Sequence, residues 1–208
     1  MKTMNIFMCA GTIATFAGVA SADLWLNEFH YDNAGGDVDE GVEIAANFDM
    51  DLSLLSVYAY NGSSSQLNVY SEWHGVADFN YTTVEGGSLA WFTNLGSIQN
   101  GAPDGLAIVY DGTVIQFLSY EGSFTAGSGA AEGLTSMDIG VSESSSAGLG
   151  TSLQLSGTGS SYSDFMWSDG GEAVSTWGAL SGGQSIAIPA PGALALLGLA
   201  GLARRRRK

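Results

Sequence analysis

Short segments in which apolar and polar residues alternate recur along the middle of the chain, and no strong helical period appears between residues 23 and 185. Alternation with a period of two is typical of strands. Clusters of Gly, Asn, Asp and Ser separate the segments and indicate turns. The pattern predicts strands at 24–31, 42–46, 52–60, 67–73, 88–93, 106–110, 113–120, 151–156 and 162–168. So many short strands at this spacing favour a β-sandwich or a barrel.

Two dipeptides predict how neighbouring strands connect. Asp111-Gly112 lies between two apolar runs and predicts a two-residue hairpin, since both positions favour positive φ. Asn61-Gly62 opens a longer loop. The Gly- and Ser-rich stretch at 122–150 is long for a loop, and we expect it to cross between sheets. Within the first strand, alternation predicts one face formed by Trp25, Asn27, Phe29 and Tyr31 and the other by Leu24 and Leu26.

The five tryptophans have two interpretations. A coplanar exposed set would form a platform for stacking sugars, whereas alternation within strands places tryptophan equally well in a core. We expect Trp73 and Trp177 to be the exposed ones. Core packing is favoured for Trp25, Trp91 and Trp167.

Basic residues are confined to the two ends of the chain. All six Lys and Arg residues lie at position 2 or at 204–208, whereas all twenty-one acidic residues lie between Asp23 and Glu172. Nucleic-acid affinity comes largely from Lys and Arg that replace condensed counterions, so nucleic-acid binding is not expected of this domain. An anionic membrane surface is disfavoured for the same reason. Cations are the expected small partners.

The first 22 residues have the composition of a cleavable signal peptide. A basic start precedes an apolar stretch at 6–19, which predicts a helix, and small residues form a cleavage site from Ala20 to Ala22, before Asp23. A retained membrane anchor is the alternative. The sequence therefore predicts export.

The last residues combine a Pro-x-Pro motif, an apolar run and a basic end. Pro189 and Pro191 precede an apolar run at 193–203, which predicts a short helix. That run is shorter than the about twenty residues that cross a bilayer. Terminal cations stay on the cytoplasmic side during export, so we expect transient contact with the membrane. The basic end consists of Arg204, Arg205, Arg206, Arg207 and Lys208.

This tail resembles the PEP-CTERM sorting signal of Gram-negative bacteria, with Ala190 at the position where Glu is commonest. The resemblance implies recognition by an exosortase-type transpeptidase of the membrane and delivery to the cell surface or the extracellular space. A plain C-terminal membrane anchor stays open as the alternative. The chain is then divided into a signal peptide at 1–22, a folded domain at 23–186 and a sorting tail at 187–208.

The folded domain resembles a second family. Its opening, Leu24–Asn33 followed by Asp39–Ile44, is similar to that of lamin-tail-like domains, whose first strand ends in Asn-Glu and whose second carries Glu-x-x-Glu-Ile. The resemblance implies an all-β, immunoglobulin-like sandwich that serves interaction, with no catalytic residues to assign. Further similarity to bacterial secreted members lies at 99–105, 117–122, 135–141, 150–155 and 157–159.

Residues suited to catalysis are few. His30 and His74 are the only imidazoles, no Gly-x-Ser-x-Gly elbow accompanies them, and we expect neutral packed or surface histidines. The only cysteine, Cys9, lies in the signal segment, so the domain has no thiol for a disulfide or a zinc site. No cofactor is expected, with calcium as the one exception. The sequence predicts a protein that is not an enzyme.

The acidic loop between the first two strands is the candidate metal site. Calcium binds six to eight hard oxygens, and carboxylates separated by glycines can curl around one ion. The spacing differs from that of an EF-hand loop, so a solvated loop is the alternative. The candidate ligands are Asp32, Asp37, Asp39 and Glu40.

These observations predict an exported, non-enzymatic protein of the cell surface or extracellular matrix that binds matrix polysaccharide or surface proteins. Two alternatives stay open. One is a calcium-dependent carbohydrate-binding or adhesive module. The other is an accessory protein of a secreted nuclease or phosphatase system, because lamin-tail domains often accompany such enzymes.

Overall fold

A computed structural model describes residues 22–93, 98–168 and 173–187 of the protein. The two predicted terminal helices lie outside these residues. Within them, no helix has the length and apolar character needed to cross a membrane. The elements are β1 (Leu24–His30), β2 (Gly41–Ala46), β3 (Leu55–Asn61), β4 (Asn68–His74), α1 (Gly75–Asp78), β5 (Asn80–Val84), β6 (Gly87–Thr93), β7 (Asp104–Tyr110), β8 (Thr113–Tyr120), β9 (Met137–Asp138), β10 (Thr151–Gly159), β11 (Phe165–Trp167), β12 (Ala173–Val174) and β13 (Gln184–Ile186).

The strands form two sheets. Sheet A has the order β11-β10-β1-β2-β6-β5, and β12 and β13 also pair with β10; sheet B has the order β4-β3-β7-β8-β9. Neighbours are antiparallel except for the pairs β10 with β13 and β8 with β9. Buried side chains from both sheets form one hydrophobic cluster, for example Ile44 of β2 and Ile108 of β7. The all-β prediction is confirmed, and a core shared by two sheets is the arrangement of a sandwich.

The core contains one tryptophan that we expected at the surface. Trp73 is 6% exposed, and its ring centroid lies 4.6 Å from that of Phe92 across the two sheets. Trp73 is the cross-strand partner of Val57, which is fully buried. Directly opposed residues share a face of the sheet, so Trp73 faces the core. The prediction of exposure was wrong because it rested on the polar residues around Trp73. Trp25 and Trp167 are buried as predicted, whereas Trp91 and Trp177 are partly buried.

A bulge in β1 reverses part of the predicted face pattern. The register between β1 and β2 shifts between Leu26 and Glu28, so one residue of β1 has no partner. After this shift, Leu26 and Phe29 line the same apolar space inside the sandwich. The side chain of Asn27 instead bonds to polar groups outside the core. The prediction that Asn27 and Phe29 share a face was wrong because a bulge breaks the period of two.

Turns and short helices set the ends of several strands. The predicted hairpin between β7 and β8 is confirmed, with φ of 48° at Asp111 and 70° at Gly112. Two predicted strands begin late because 3₁₀ helices precede them, at Leu52–Leu54 and at Tyr162–Asp164. The first of these helices is capped by Asp51, whose carboxylate accepts a hydrogen bond from a backbone N–H in the first turn.

The long Gly- and Ser-rich stretch divides into two parts. Residues 122–136, here called the cover loop, lie on the outer face of sheet B. There Phe124 and Ala126 pack with Tyr60 and Phe117 in a second hydrophobic cluster. After β9, the chain continues to β10 in sheet A, so the predicted crossing between sheets is confirmed.

Candidate binding groove

The structure does not gather the predicted calcium ligands into a metal site. The buried carboxylate of Glu40 accepts a hydrogen bond from the backbone N–H of Ile98 at 2.7 Å. The carboxylate of Asp37 accepts one within its own loop at 3.1 Å, Asp32 is half-buried and Asp39 is exposed. Across the described ranges, no group of three or more His, Cys, Asp or Glu side chains is arranged to hold a metal ion. Calcium binding by these four carboxylates stays a prediction.

The predicted processing sites fall at the limits of the described residues. Ala20, Pro189 and Pro191 lie outside them, as do the arginines at 204–207. Asp23 lies inside, and its carboxylate accepts a hydrogen bond from the backbone N–H of Tyr162 at 3.2 Å. The residue that follows the predicted cleavage site is therefore part of the folded domain.

His30 forms a buried pair with a carboxylate from a distant loop. Its Nδ1 lies 2.8 Å from Oε1 of Glu143, and both side chains are at most 1% exposed. The other oxygen of Glu143 accepts hydrogen bonds from the backbone N–H groups of Tyr31 and Asp32. Burial lowers the pKa of His30, but the hydrogen bond and charge of Glu143 outweigh it, so the pKa lies above its ordinary value. His30 is packed, as we expected, and its pairing with Glu143 anchors the crossing chain to β1.

Two fully buried glutamates lie opposite each other on β1 and β2. Glu28 accepts hydrogen bonds from the hydroxyl groups of Ser152, at 2.7 Å, and Thr176, at 2.6 Å. Glu43 accepts one from the side-chain amide of Asn27 at 2.9 Å and one from the backbone N–H of Gly178 at 2.7 Å. Burial raises the pKa of Glu28 and raises that of Glu43 to about 8. Such buried acids need these donors to avoid an uncompensated desolvation cost.

Two of the donors to these glutamates, Thr176 and Gly178, belong to residues 173–187, here called the strap. The strap includes β12 and β13, which both pair with β10 of sheet A. Gly41 of β2 makes room for it, because a Cβ there would lie 3.2 Å from Cη2 of Trp177 and 2.6 Å from the carbonyl oxygen of Phe92. The amide of Gln184 exchanges hydrogen bonds with that of Asn27. The hydrogen bonds to Glu28, Glu43 and Asn27 tie the strap to sheet A.

An open groove of about 350 Å³ lies on the outer face of sheet B. It runs along β3 and β4 and meets the cover loop. The pairing of β3 with β4 shifts in register where Tyr70 has no cross-strand partner. Such a bulge bends a strand away from a flat sheet. The lining residues are Tyr58, Val69, Tyr70, Ser71, Glu72 and Gly129.

Three side chains from the two strands form a polar and aromatic group beside the groove. Tyr58 is the cross-strand partner of Glu72, and its ring centroid lies 5.8 Å from that of His74 in an edge-on arrangement. Nε2 of His74 lies 3.5 Å from the carboxylate of Glu72. Glu72 and His74 are 56% and 52% exposed, whereas Tyr58 is half-buried. The group therefore offers a supported aromatic ring, a carboxylate and an imidazole to solvent.

The wall of the groove depends on a glycine. Gly129 has φ of 73°, and a Cβ there would lie 2.3 Å from Cγ2 of Val69 and 2.8 Å from the hydroxyl oxygen of Tyr60. Ser128 accepts a hydrogen bond from the backbone N–H of Val69 at 3.2 Å. Only glycine combines this conformation with such a close approach. The cover loop therefore holds a defined wall against β4.

Sequence reasoning missed this group, although it named His74. Tyr58 and Glu72 are fourteen positions apart, and only the β3–β4 register brings them together. The available signal was the pair of predicted strands joined by the loop that Asn61-Gly62 opens. No family model, curated protein or solved structure matches the chain.

Proposed function

We propose that this chain is an exported, non-enzymatic protein of the cell surface or extracellular matrix that binds polysaccharide in the groove of sheet B. The observation that carries the proposal is the exposed group of Tyr58, Glu72 and His74 at an open, concave surface. Binding sites for small ligands combine aromatic surface with a few placed polar groups. A tyrosine ring offers an apolar face for a sugar and a hydroxyl for hydrogen bonding.

We further propose that the sandwich is immunoglobulin-like and of the lamin-tail type. Support comes from the two sequence blocks that carry the resemblance. Asn27 and Glu28 of the first block and Glu40 and Glu43 of the second are all buried and hydrogen-bonded. These blocks therefore have a physical role in closing the domain, as framework residues of a family would.

Export and sorting rest on the two ends of the chain. We propose that a signal peptidase removes 1–22 and that an exosortase-type transpeptidase processes the tail after transient membrane contact. Mass spectrometry of the protein recovered from cells tests both steps. The expected masses begin at Asp23 and lack Arg204 to Lys208. Surface material with an intact basic end would contradict processing.

Binding is tested with the polysaccharide fraction extracted from the producing cells. We expect the purified protein to bind this fraction and Tyr58→Ala to weaken binding about ten-fold, as loss of a central aromatic contact does. Tyr81→Ala is the matched control, because Tyr81 is a half-buried strand tyrosine on sheet A. No binding, or equal weakening in the two variants, would contradict the proposal.

A further inference from the structure

The charged side chains around the groove of sheet B restrict the class of ligand that it can bind. Among the described residues that line it, Glu72 is the one carboxylate, and Glu132 follows in the turn of the cover loop that begins at Gly129. The sequence places no Lys or Arg anywhere between residues 3 and 203. The basic side chain beside Glu72 is His74, whose Nε2 lies 3.5 Å from the carboxylate.

The surrounding domain adds to the negative electrostatic potential at the groove. Exposed acidic residues of the domain, such as Glu132 in the cover loop, create a negative potential that adds to the field of Glu72 within a Debye length of about 8–10 Å. An anionic polymer would be repelled from the groove. A second copy of this chain carries the same charge and would be repelled as well. A ligand with positive charge is therefore favoured over both.

The shape and lining of the groove favour a sugar among cationic ligands. Tyr58 stands half-buried with His74 edge-on beside it, so the ring is held in place before a ligand arrives. Glu72 lies directly opposite Tyr58 on the neighbouring strand, so the carboxylate and the tyrosine ring share one face of the sheet. An aromatic ring beside a carboxylate suits a pyranose that carries an amine.

Resting on the proposed function, we infer that the groove binds an amine-bearing glycan, a polymer of partly or fully de-N-acetylated amino sugars. The ammonium group pairs with the carboxylate of Glu72, and the sugar ring packs on Tyr58. Charge attraction directs the polymer to the groove, and the ring contact gives the complex its preference for sugar. N-acetylation removes the positive charge and so removes the first of these contributions.

The experiment compares three probes by titration calorimetry on the protein purified from its producing cells, at pH 5.5 and low salt. The probes are a β-1,4-glucosamine hexamer, its fully N-acetylated form and hexalysine. We expect the glucosamine hexamer to bind most tightly. Glu72→Gln should weaken its binding about two- to five-fold, the range of one exposed ion pair. Glu85→Gln, which removes an exposed charge from the turn between β5 and β6, should leave it unchanged.

The outcomes separate this inference from the proposed function. Equal binding of both hexamers, with dependence on Tyr58, would keep polysaccharide binding and overturn the amine preference. Failure of both hexamers to bind would overturn the inference, whereas polysaccharide binding itself would be overturned only if the extracted polysaccharide fraction also failed to bind. Equal weakening by Glu72→Gln and Glu85→Gln, or hexalysine binding as tight as the glucosamine hexamer, would show attraction by charge alone and also overturn the inference.

Discussion

The folded domain should lose stability as the pH rises from 5 to 8, because its buried acids bind protons more tightly when folded. Glu43 sets the direction in which stability changes with pH. Burial raises its pKa from 4.5 to about 8, and the charge of Glu28 adds to this, whereas hydrogen bonds from Asn27 and Gly178 lower it by less. Between pH 4.5 and 8, the folded state keeps a proton that the unfolded state releases. The contribution to stability is full below pH 4.5 and is lost as the pH rises through 8.

The size of the loss of stability follows from the pKa shift of Glu43. One pKa unit corresponds to about 1.4 kcal/mol, so the shift of Glu43 amounts to on the order of 5 kcal/mol between pH 4.5 and 8. Burial also raises the pKa of Glu28, and it raises that of Asp104 from 3.8 to about 6. The raised pKa of His30 acts in the same direction, since its contribution is present below pH 6.5 and is lost above its folded pKa. Domains typically have a free energy of unfolding of about 5–15 kcal/mol, so the expected loss is a large fraction of the total stability.

Urea unfolding followed by tryptophan fluorescence at pH 5, 6, 7 and 8 measures this dependence. Glu43→Gln cannot ionise, so its stability should fall by about 1.4 kcal/mol less per pH unit than that of the unchanged protein. At pH 5 the variant should be the less stable of the two, because its amide N–H₂ faces Asn27 or Gly178, which are both donors. The gap should narrow towards pH 8. Glu85→Gln is the control, since Glu85 is exposed.

Two results would contradict this pH dependence. Stability that rises steadily from pH 5 to 8 would show that the buried carboxylates are more acidic in the folded state. Parallel pH curves for Glu43→Gln and the unchanged protein would show that Glu43 does not take up the proton.

Three further predictions use the same unfolding assay. Gly129→Ala should cost about 1–3 kcal/mol through overpacking and weaken binding in the groove, whereas Gly133→Ala, at a similar φ but in open space, should cost about 1 kcal/mol and leave binding unchanged. Trp73→Ala should lower the free energy of unfolding by about 3–5 kcal/mol because the side chain is in the core. A loss under about 1 kcal/mol would contradict the burial of Trp73. Glu143→Ala should cost about 3–5 kcal/mol at pH 6 because it leaves His30 buried without its partner, and a double-mutant cycle with His30→Ala should show coupling; additive costs would contradict the pair.

Local chemistry made much of the fold predictable. The hairpin at Asp111-Gly112 needs positive φ at two neighbouring positions, and the two residue types indicate this turn by themselves. Alternation located most strands of both sheets, because it reports which side chains face a core. It failed where a bulge intervened at Asn27, since the extra residue changes the period without a signal in composition. Trp73 shows the same limit, because its face was decided by its partner on β3.

The candidate groove lay beyond such reasoning. Tyr58, Glu72 and His74 carry no motif, and their meeting depends on a register between two strands and on a bulge. The buried pair of His30 and Glu143 joins residues 113 positions apart, and the strap reaches Glu28 from position 176. Contacts between residues so far apart in the sequence depend on how the sheets pack, and local patterns of residues do not predict that packing.

Some features are properties of neighbouring residues or of composition and can be predicted from the sequence: the alternation typical of strands, the turn at Asp111-Gly112 and the segregation of every Lys and Arg to the two ends. Which acids are buried, which aromatic residues face the core and where a ligand has room to bind depend on the folded structure. The physical reason is that burial, and with it the pKa of Glu43 and the exposure of Glu72, depends on partners that the folded sheets supply.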